Sequence, residues 1–442
     1  MGRMLDLAYG LGLVAASPWL LLGRRGKGPM DWDGRFGRGV SIPKAEGRQR
    51  VLIHAVSLGE VNLIRLLVER LSRDHDVVVA ATTNTGLDRA VSLFGAERVV
   101  RYPFDFTWAV ARVLDRVRPD VVVTAELEVW PNLVQGCRKR GIPVAVVNGR
   151  LSDKSIRGYR RLRWLLKGTF GKLAGVGAQT RAYADRFIEM GVPAERVVVL
   201  DTMKWDTAEV AEKVEGAKEL RAAMGLDRSR PVVVLGSTGV DEEVALAEAI
   251  RRACGEVQIV VVPRKPERFE EVAWALADAG WEVVQRSRVD GGRTDDRGVK
   301  RSAEAFGIEG EAHAMGTIYL LDTLGELRKA YALADVVVVG RSFNGWGGSD
   351  PIEPVALGRP VVMGPDHRNF LEVVEALVDA GGLKLADDVE AAGREVAGLL
   401  GDQAARAAMA AAGRGVILSR QGATERHALV IERLLAEGVE SF

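Results

Sequence analysis

"VLIHAVSLGEVNLIRLLVERL", residues 51–71, carries the reading of the fold. Its first six residues form a short, near-continuously apolar run, the pattern of a strand buried on both faces as in a parallel sheet. The run ends at Ser57 and passes directly into an amphipathic helix, so the stretch is the first half of a βα unit. Glu60 sits where that helix starts, at the edge of the sheet. The helix dipole already favours an anion there, which makes a cap worth roughly 0.3–1 kcal/mol one reading. The other is a carboxylate held at a sheet edge for chemistry, and spacing alone leaves both open.

The same signature recurs along the chain. "DVVVAATT", "RVVRYPF", "DVVVTAEL" and "PVAVVNG" read as further buried parallel strands with helices between them, so residues 48–206 form a doubly wound, Rossmann-like α/β domain. Residues 207–230, charged and helical with a loop at their end, read as a connector. The pattern then restarts with "PVVVLGST", "EVQIVVVP", "WEVVQR", "TIYLLD", "DVVVVG" and "PVVMGP", a second Rossmann-like domain over 231–415. Within it, residues 286–316 are polar and Gly-rich and read as a surface insertion. Residues 416–442 read as a C-terminal helix. Two such domains facing one another leave a central cleft along the C-terminal edges of both sheets, where ligands bind in folds of this kind. The architecture resembles that of the GT-B glycosyltransferases.

Composition is that of a folded protein, and the net charge of +1 hides an asymmetry. Residues 1–210 carry 33 Lys+Arg against 22 Asp+Glu (+11), and residues 211–442 carry 28 against 38 (−10). A basic N-terminal half suggests an anionic partner. No aromatic stacking platform or recognised binding motif accompanies that charge, which argues against nucleic acid. Cys137 and Cys254 have no metal spacing and suit a reducing compartment, and none of the five histidines pairs at ligand spacing, so no metal site is expected. "LAYGLGLVAASPWLLLG" (7–23) is uncharged and precedes "RRGKG", so residues 1–28 read as a membrane anchor. Whether it spans the bilayer or lies in its surface stays open, as does a buried first helix. Arg24, Arg25 and Lys27 would keep the following domain on the cytoplasmic side.

Several stretches carry chemistry. "DVVVTAELEVWPN" (120–132) ends a strand with Glu126 and Glu128, and strand alternation would put both on one face. Two carboxylates there are costly if buried unpaired, so a structural ion pair with the Arg-rich helices competes with a catalytic reading. "NGRLSDKSIRGYRRLRWLLKGTFGKL" (148–173) is strongly basic with a single acid, and Tyr159, Leu162, Leu165 and Leu166 fall on a helical period. Such a segment, through Arg157, Arg160, Arg161 and Arg163, would bind anionic lipid head groups; a solvated basic face is the alternative. In the second domain "VVVLGSTGVDEE" places Gly236, Ser237 and Thr238 between a strand and a helix start, a setting suited to phosphate. "VVVPRKPERF" adds Arg264 and Lys265, and Glu353 in "GGSDPIEP" is placed to accept ribose hydroxyls. Together these loops suggest a nucleotide, although each alone could be turn chemistry.

"HAVSLGE", "PFDFTWAVARVLDRVRPDVVV", "AELEVWPN", "VVNGRLSDKSIRGYRRL", "AQTRAYADRFIEMGVPAERV", "PRKPERF", "DTLGEL" and "DPIEPVALGRPVVMGP" together resemble, in order and spacing, the motifs of the 3-deoxy-D-manno-octulosonic acid (Kdo) transferases of lipid A assembly. The resemblance implies an inverting, metal-independent glycosyltransferase without a cofactor. It would use CMP-Kdo as donor and a lipid A precursor, lipid IVA, as acceptor, at the cytoplasmic face of the inner membrane. By motif, Glu60 is the general base, Glu126 the second catalytic carboxylate ahead of Glu128, and Lys204 in "DTMKWD" lies near the donor's charged groups. Ser237, Thr238, Pro263, Arg264, Leu324, Gly325, Glu326, Asp350, Pro351, Ile352 and Glu353 fall in the segments that hold CMP, which makes the second domain the donor domain and the first the acceptor domain. The chain departs from the family pattern on the donor side. It has "DTMKWD" for "GNLKFD", "GSTGVDEE" for "GSTHEGE", "PRKPERF" for "PRHPERF" and "GGSDPIEP" for "GGHNPLEP". Asp350 would repel a phosphate unless Lys265 compensates. These departures keep two alternatives in view: a non-catalytic binder of nucleotide sugar or anionic lipid, and a transferase using a different activated sugar.

Overall fold

The computed structural model describes residues 2, 5–7, 9–11, 31–39, 42–43, 47–289 and 315–437. It divides into two compact units, Met1–Asp206 with Gln421–Phe442, and Thr207–Arg420. The first is built on seven parallel strands: β1 (Arg50–Ala55), β2 (Asp76–Ala81), β3 (Val99–Arg101), β4 (Val121–Ala125), β5 (Val144–Gly149), β6 (Gly175–Ala178) and β7 (Val197–Val199). Their order is β3-β2-β1-β4-β5-β6-β7. The second unit is also built on seven parallel strands, β8 (Val232–Thr238), β9 (Gln258–Pro263), β10 (Glu282–Gln285), β11 (Thr317–Leu320), β12 (Val336–Val339), β13 (Val361–Met363) and β14 (Lys384–Leu385), in the order β10-β11-β9-β8-β12-β13-β14, with β11 inserted between β9 and β10. The winding reverses at β1/β4 in the first sheet and at β8/β12 in the second. The loops leaving such a pair run apart and open a crevice at the C-terminal edge.

The Val-rich runs form these strands because helices cover both faces. Val51, Ile53, Val79 and Val123 pack with Val61, Ile64 and Leu67 on one side of the first sheet. Leu52, Val78, Val122 and Val146 pack with Val110, Leu114 and Leu133 on the other. The last helix, Ala423–Glu437, contributes Ala428 and Ile431 to the first of these layers. Arg70 fixes it at the surface through Glu425 (2.8 Å) and Glu432 (2.9 Å). Its buried His427 lies so close to Gly177 that a Cβ there would meet the imidazole at 2.6 Å.

Three strands are not evident in the sequence, and each is weakly marked. β6 reads "GVGA", half glycine; β7 is only partly buried; β14 has two residues. Residues 207–230 hold a single short helix, Ala217–Ala223, and belong to the second unit. The expected closing helix at 416–442 is two helices, Gln403–Arg420 and Ala423–Glu437, broken at Gly422 (φ +85°), and only the second belongs to the first unit. Most of the expected anchor and of the 286–316 insertion lies outside the described residues. Among the described residues no helix is long and apolar enough to cross a membrane.

Candidate active site

In the first unit the acids follow the two strands at which the winding reverses. Ser57 caps the Leu58–Leu63 helix, its hydroxyl donating to Glu60 Oε1 (3.0 Å), while the Val56 N–H donates to Glu60 Oε2 (2.8 Å). Glu60 is therefore part of the cap, close to a capping box but reaching the N–H of Val56, one residue before the N-cap, and these bonds orient both of its oxygens. Burial pushes its carboxyl up to about 7 against the pull of the Val56 N–H, and the charges of Glu126 and Glu128 add to the rise. Desolvation thus outweighs the helix terminus.

Glu126 ends β4 in a left-handed conformation, φ +59°, its N–H donating to Val147 O (3.0 Å) and its carbonyl accepting from Arg150 N–H (3.2 Å). The strand period stops at Ala125, so the alternation expected for Glu126 and Glu128 does not apply: a turn places them. Glu128 accepts the Trp130 indole N–H at 2.7 Å, and burial raises its carboxyl. Among the described residues no Lys or Arg lies within ion-pair distance of Glu60, Glu126 or Glu128. A residue not singled out in the sequence supports the turn. Asp105, buried, accepts the N–H groups of Asn132 and Leu133 (both 2.9 Å) at the start of the Pro131–Arg138 helix, and burial pushes its carboxyl up to about 7. Its signal was an acid between two phenylalanines in "PFDFTW".

Lys204 lies on the 3₁₀ turn Met203–Asp206 after β7. The Met203 N–H donates to the buried Asn148 Oδ1 at 2.9 Å, which brings this turn to the C-terminal end of β5, the strand next to β4. The basic segment is two helices, Asp153–Arg161 and Arg163–Phe170, broken at Leu162. Tyr159 and Leu166 pack on the core, whereas Leu162 is half exposed and Trp164 is 82% exposed. Leu162 therefore leaves the apolar stripe assigned to it. Arg160 is paired with Glu189 (2.7 and 2.9 Å), Arg163 donates to Glu189 O (2.6 Å), Arg157 donates to Asp153 O (3.1 Å), and Arg161 is exposed.

In the second unit the hydroxyls expected to meet phosphate are turned inward. The Thr238 hydroxyl donates to Glu243 Oε1 (3.0 Å), which Arg268 also holds in a buried ion pair (2.7 Å). Ser237, at φ +54° and buried, takes the Ser349 hydroxyl on its carbonyl (2.9 Å). The Gly239 N–H donates to the buried Glu242 carboxylate (2.5 Å), as does the Arg341 N–H. The groups left facing outward are cations. Arg264 follows Pro263 at the end of β9, its N–H on Thr238 O (3.0 Å), and with Lys265, Arg341 and Trp346 it lines a pocket of about 130 Å³. Arg341 and Trp346 were not anticipated; their loop, "GRSFNGW", directly precedes "GGSDPIEP".

The remaining donor-side residues gather around Tyr331, whose hydroxyl feels Glu353, Asp350 and Arg264. Glu353 lies 3.7 Å from Arg328, and burial raises its carboxyl. Asp350 Oδ1 accepts the Ile352 N–H (2.9 Å), while Lys265, the cation expected to compensate it, pairs with Glu267 (3.7 Å). Pro351 and Ile352 are buried behind the loop. Leu324 is exposed, Gly325 has φ +82°, and Glu326 is held by Thr323 (2.6 Å), Arg286 (3.3 Å) and Lys329 (3.4 Å).

Comparison with known proteins agrees with the motif reading. The family model described as 3-deoxy-D-manno-octulosonic-acid transferase (kdotransferase) matches residues 30–207. The 3-deoxy-D-manno-octulosonic acid transferase of Bordetella pertussis is 34% identical over 438 residues, 95% of this chain and 96% of the relative. The C-terminal CMP-Kdo binding domain of WaaA from Acinetobacter baumannii is 28% identical over 46% of this chain and 96% of its own, with a TM-score of 0.38. A glycosyltransferase from Rickettsia africae covers 89% of this chain at 11% identity with a TM-score of 0.56, a likeness of fold. Two parallel-sheet α/β units of this glycosyltransferase type, with sequence similarity along almost the whole length, place the chain in the 3-deoxy-D-manno-octulosonic acid (Kdo) transferase family.

Proposed function

We propose that the protein transfers Kdo from CMP-Kdo to a lipid A precursor with inversion at the anomeric carbon, and does so at the cytoplasmic face of the inner membrane without metal or cofactor. The observation that carries the reading is Glu60: its two oxygens are oriented by Val56 and Ser57, and its carboxyl is raised to about 7. A base poised near the working pH is the best compromise between being deprotonated and being basic.

In this reading the acceptor hydroxyl donates its proton to Glu60 as its oxygen attacks the anomeric carbon. The bond from that carbon to the phosphate oxygen breaks, and CMP leaves with the electron pair. Glu126 and Glu128 raise the basicity of Glu60. Arg264 and Lys204 stabilise the negative charge on the departing nucleotide. The first unit takes the acceptor, and the exposed Trp164 with Arg157, Arg160, Arg161 and Arg163 meets the anionic lipid surface. The second unit takes the donor. Detergent-purified protein, tetraacylated lipid A precursor and CMP-Kdo generated in situ should give a lipid heavier by one or more Kdo residues in mass spectrometry, and Glu60→Ala should give none. Product formation by that variant at the wild-type rate would exclude Glu60 as the base.

A further inference from the structure

Arg341 stands directly after Gly340 at the end of β12 with φ +60°, a left-handed conformation that favours glycine. It is held there by its N–H on Glu242, whose carboxylate, 1% exposed, also accepts the Gly239 N–H from the loop after β8. One buried acid thus ties together the two loops that leave the strands of reversal. The tie fixes the backbone from which the Arg341 side chain departs. Its guanidinium lies 5.9 Å from the Trp346 ring centroid and donates to Trp346 O (3.5 Å).

The side chain ends in the same pocket as Arg264, Lys265, Glu267 and Arg268, the last of these paired with the buried Glu243. Lys265 has Glu267 as a counter-ion, but among the described residues neither Arg264 nor Arg341 forms an ion pair with a carboxylate. Glu242, the acid nearest in charge, already gives Oε1 to two backbone N–H groups. Burial and the neighbouring Arg264 hold the Arg341 guanidinium below its usual range, so the two cations repel. A pair of guanidiniums placed in one small pocket against an indole, with backbone strain accepted to keep one of them there, is a receptor for a planar or tetrahedral oxyanion.

We propose that Arg341, seated on Trp346 and facing Arg264, is a donor-binding residue that grips an anionic group of the sugar nucleotide. The inference rests on the reading of the donor as CMP-Kdo, which offers two such groups, the nucleotide phosphate and the sugar carboxylate. Arg341→Gly is the informative variant because glycine suits φ +60°, so its thermal midpoint should not fall. The measurements are calorimetric titration with CMP and steady-state KM for CMP-Kdo, on wild type, Arg341→Gly and Arg341→Lys. A rise of at least tenfold in KM, with kcat changed less, is expected for Arg341→Gly, partly recovered by Arg341→Lys. If CMP binding weakens in parallel the phosphate is the group held; if CMP binding is unchanged it is the carboxylate. Both constants within twofold of wild type overturn the proposal. Wild type that binds CMP but makes no product, with CMP binding lost in Arg341→Gly, sinks the transfer reaction and keeps this site. Wild type that neither binds CMP nor transfers sinks both.

Discussion

The two sheets are both seven parallel strands, differ in strand order, and carry opposite charges at their C-terminal edges. After β1 and β4 stand Glu60, Glu126 and Glu128; after β9 and β12 stand Arg264, Lys265 and Arg341. Each local charge also runs against that of its surroundings, since the acids lie in the half of the chain with a charge of +11 and the cations in the half with −10. The winding decides where a crevice opens, and a few loop residues decide what it binds. The overall charge of a unit is a statement about long-range attraction, for which the basic first unit suits an anionic lipid. It says nothing of the sign of the site.

If the acid cluster does chemistry and the cation pocket does binding, Glu60→Gln should lower kcat by about 10²- to 10⁴-fold, the usual worth of a general base, and leave CMP affinity unchanged. A parallel loss of CMP affinity would break the division of labour. The next largest effect belongs to the second unit's scaffold. Arg268→Ala should cost about 3–5 kcal/mol in urea unfolding, because Glu243 would be left buried and charged; Arg268→Met combined with Glu243→Leu should recover most of it. Recovery failing in the double variant would mean that the pair does more than neutralise itself.

The pH dependence separates the two sites further. Transfer should fall tenfold per pH unit below about 7 as Glu60 protonates, and Glu126→Gln should move that limb to lower pH because one repelling charge is gone. Stability should show the opposite preference. The Glu60 carboxyl is raised from 4.5 to about 7 in the folded protein, so its contribution is fully present below 4.5 and is lost as pH rises through 7. Glu60→Gln should therefore match wild type near pH 4.5 and exceed it by about 1–3 kcal/mol at pH 8. Identical thermal midpoints for the two proteins at both pH values would contradict a desolvated carboxylate. The smallest effect is expected at the surface. Trp164→Ala should weaken binding to anionic vesicles a few-fold without lowering the thermal midpoint, since the ring is 82% exposed.

Much of this was legible in the sequence because parallel strands covered on both faces must be apolar throughout, and runs such as "DVVVTAEL" have few other readings. Glu60 was legible for the same reason, being the first acid after such a run. What was not legible depends on single backbone angles and on partners distant in the chain. Alternation placed Glu126 and Glu128 as strand residues, but φ +59° at Glu126 ends the strand one residue earlier. Thr238 looked free for a ligand until Glu243, held in place by the distant Arg268, took its hydroxyl inward. Arg341 was invisible because its role needs Trp346, Arg264 and the Glu242 tie at once, and no local pattern announces that meeting.

The return of the chain at Gln421 bears on how the protein is made. Residues Thr207–Arg420 form a contiguous unit, but the first unit stays incomplete until the helix Ala423–Glu437 packs on β4 and β5 and brings His427 to Gly177. On the ribosome the earlier half of the chain therefore waits, with part of one face of its sheet uncovered, while the later half is synthesised and folds. A chain stopped at Arg420 would carry an intact donor unit and an unfinished acceptor unit, so a loss at its very end would be felt at the part translated first.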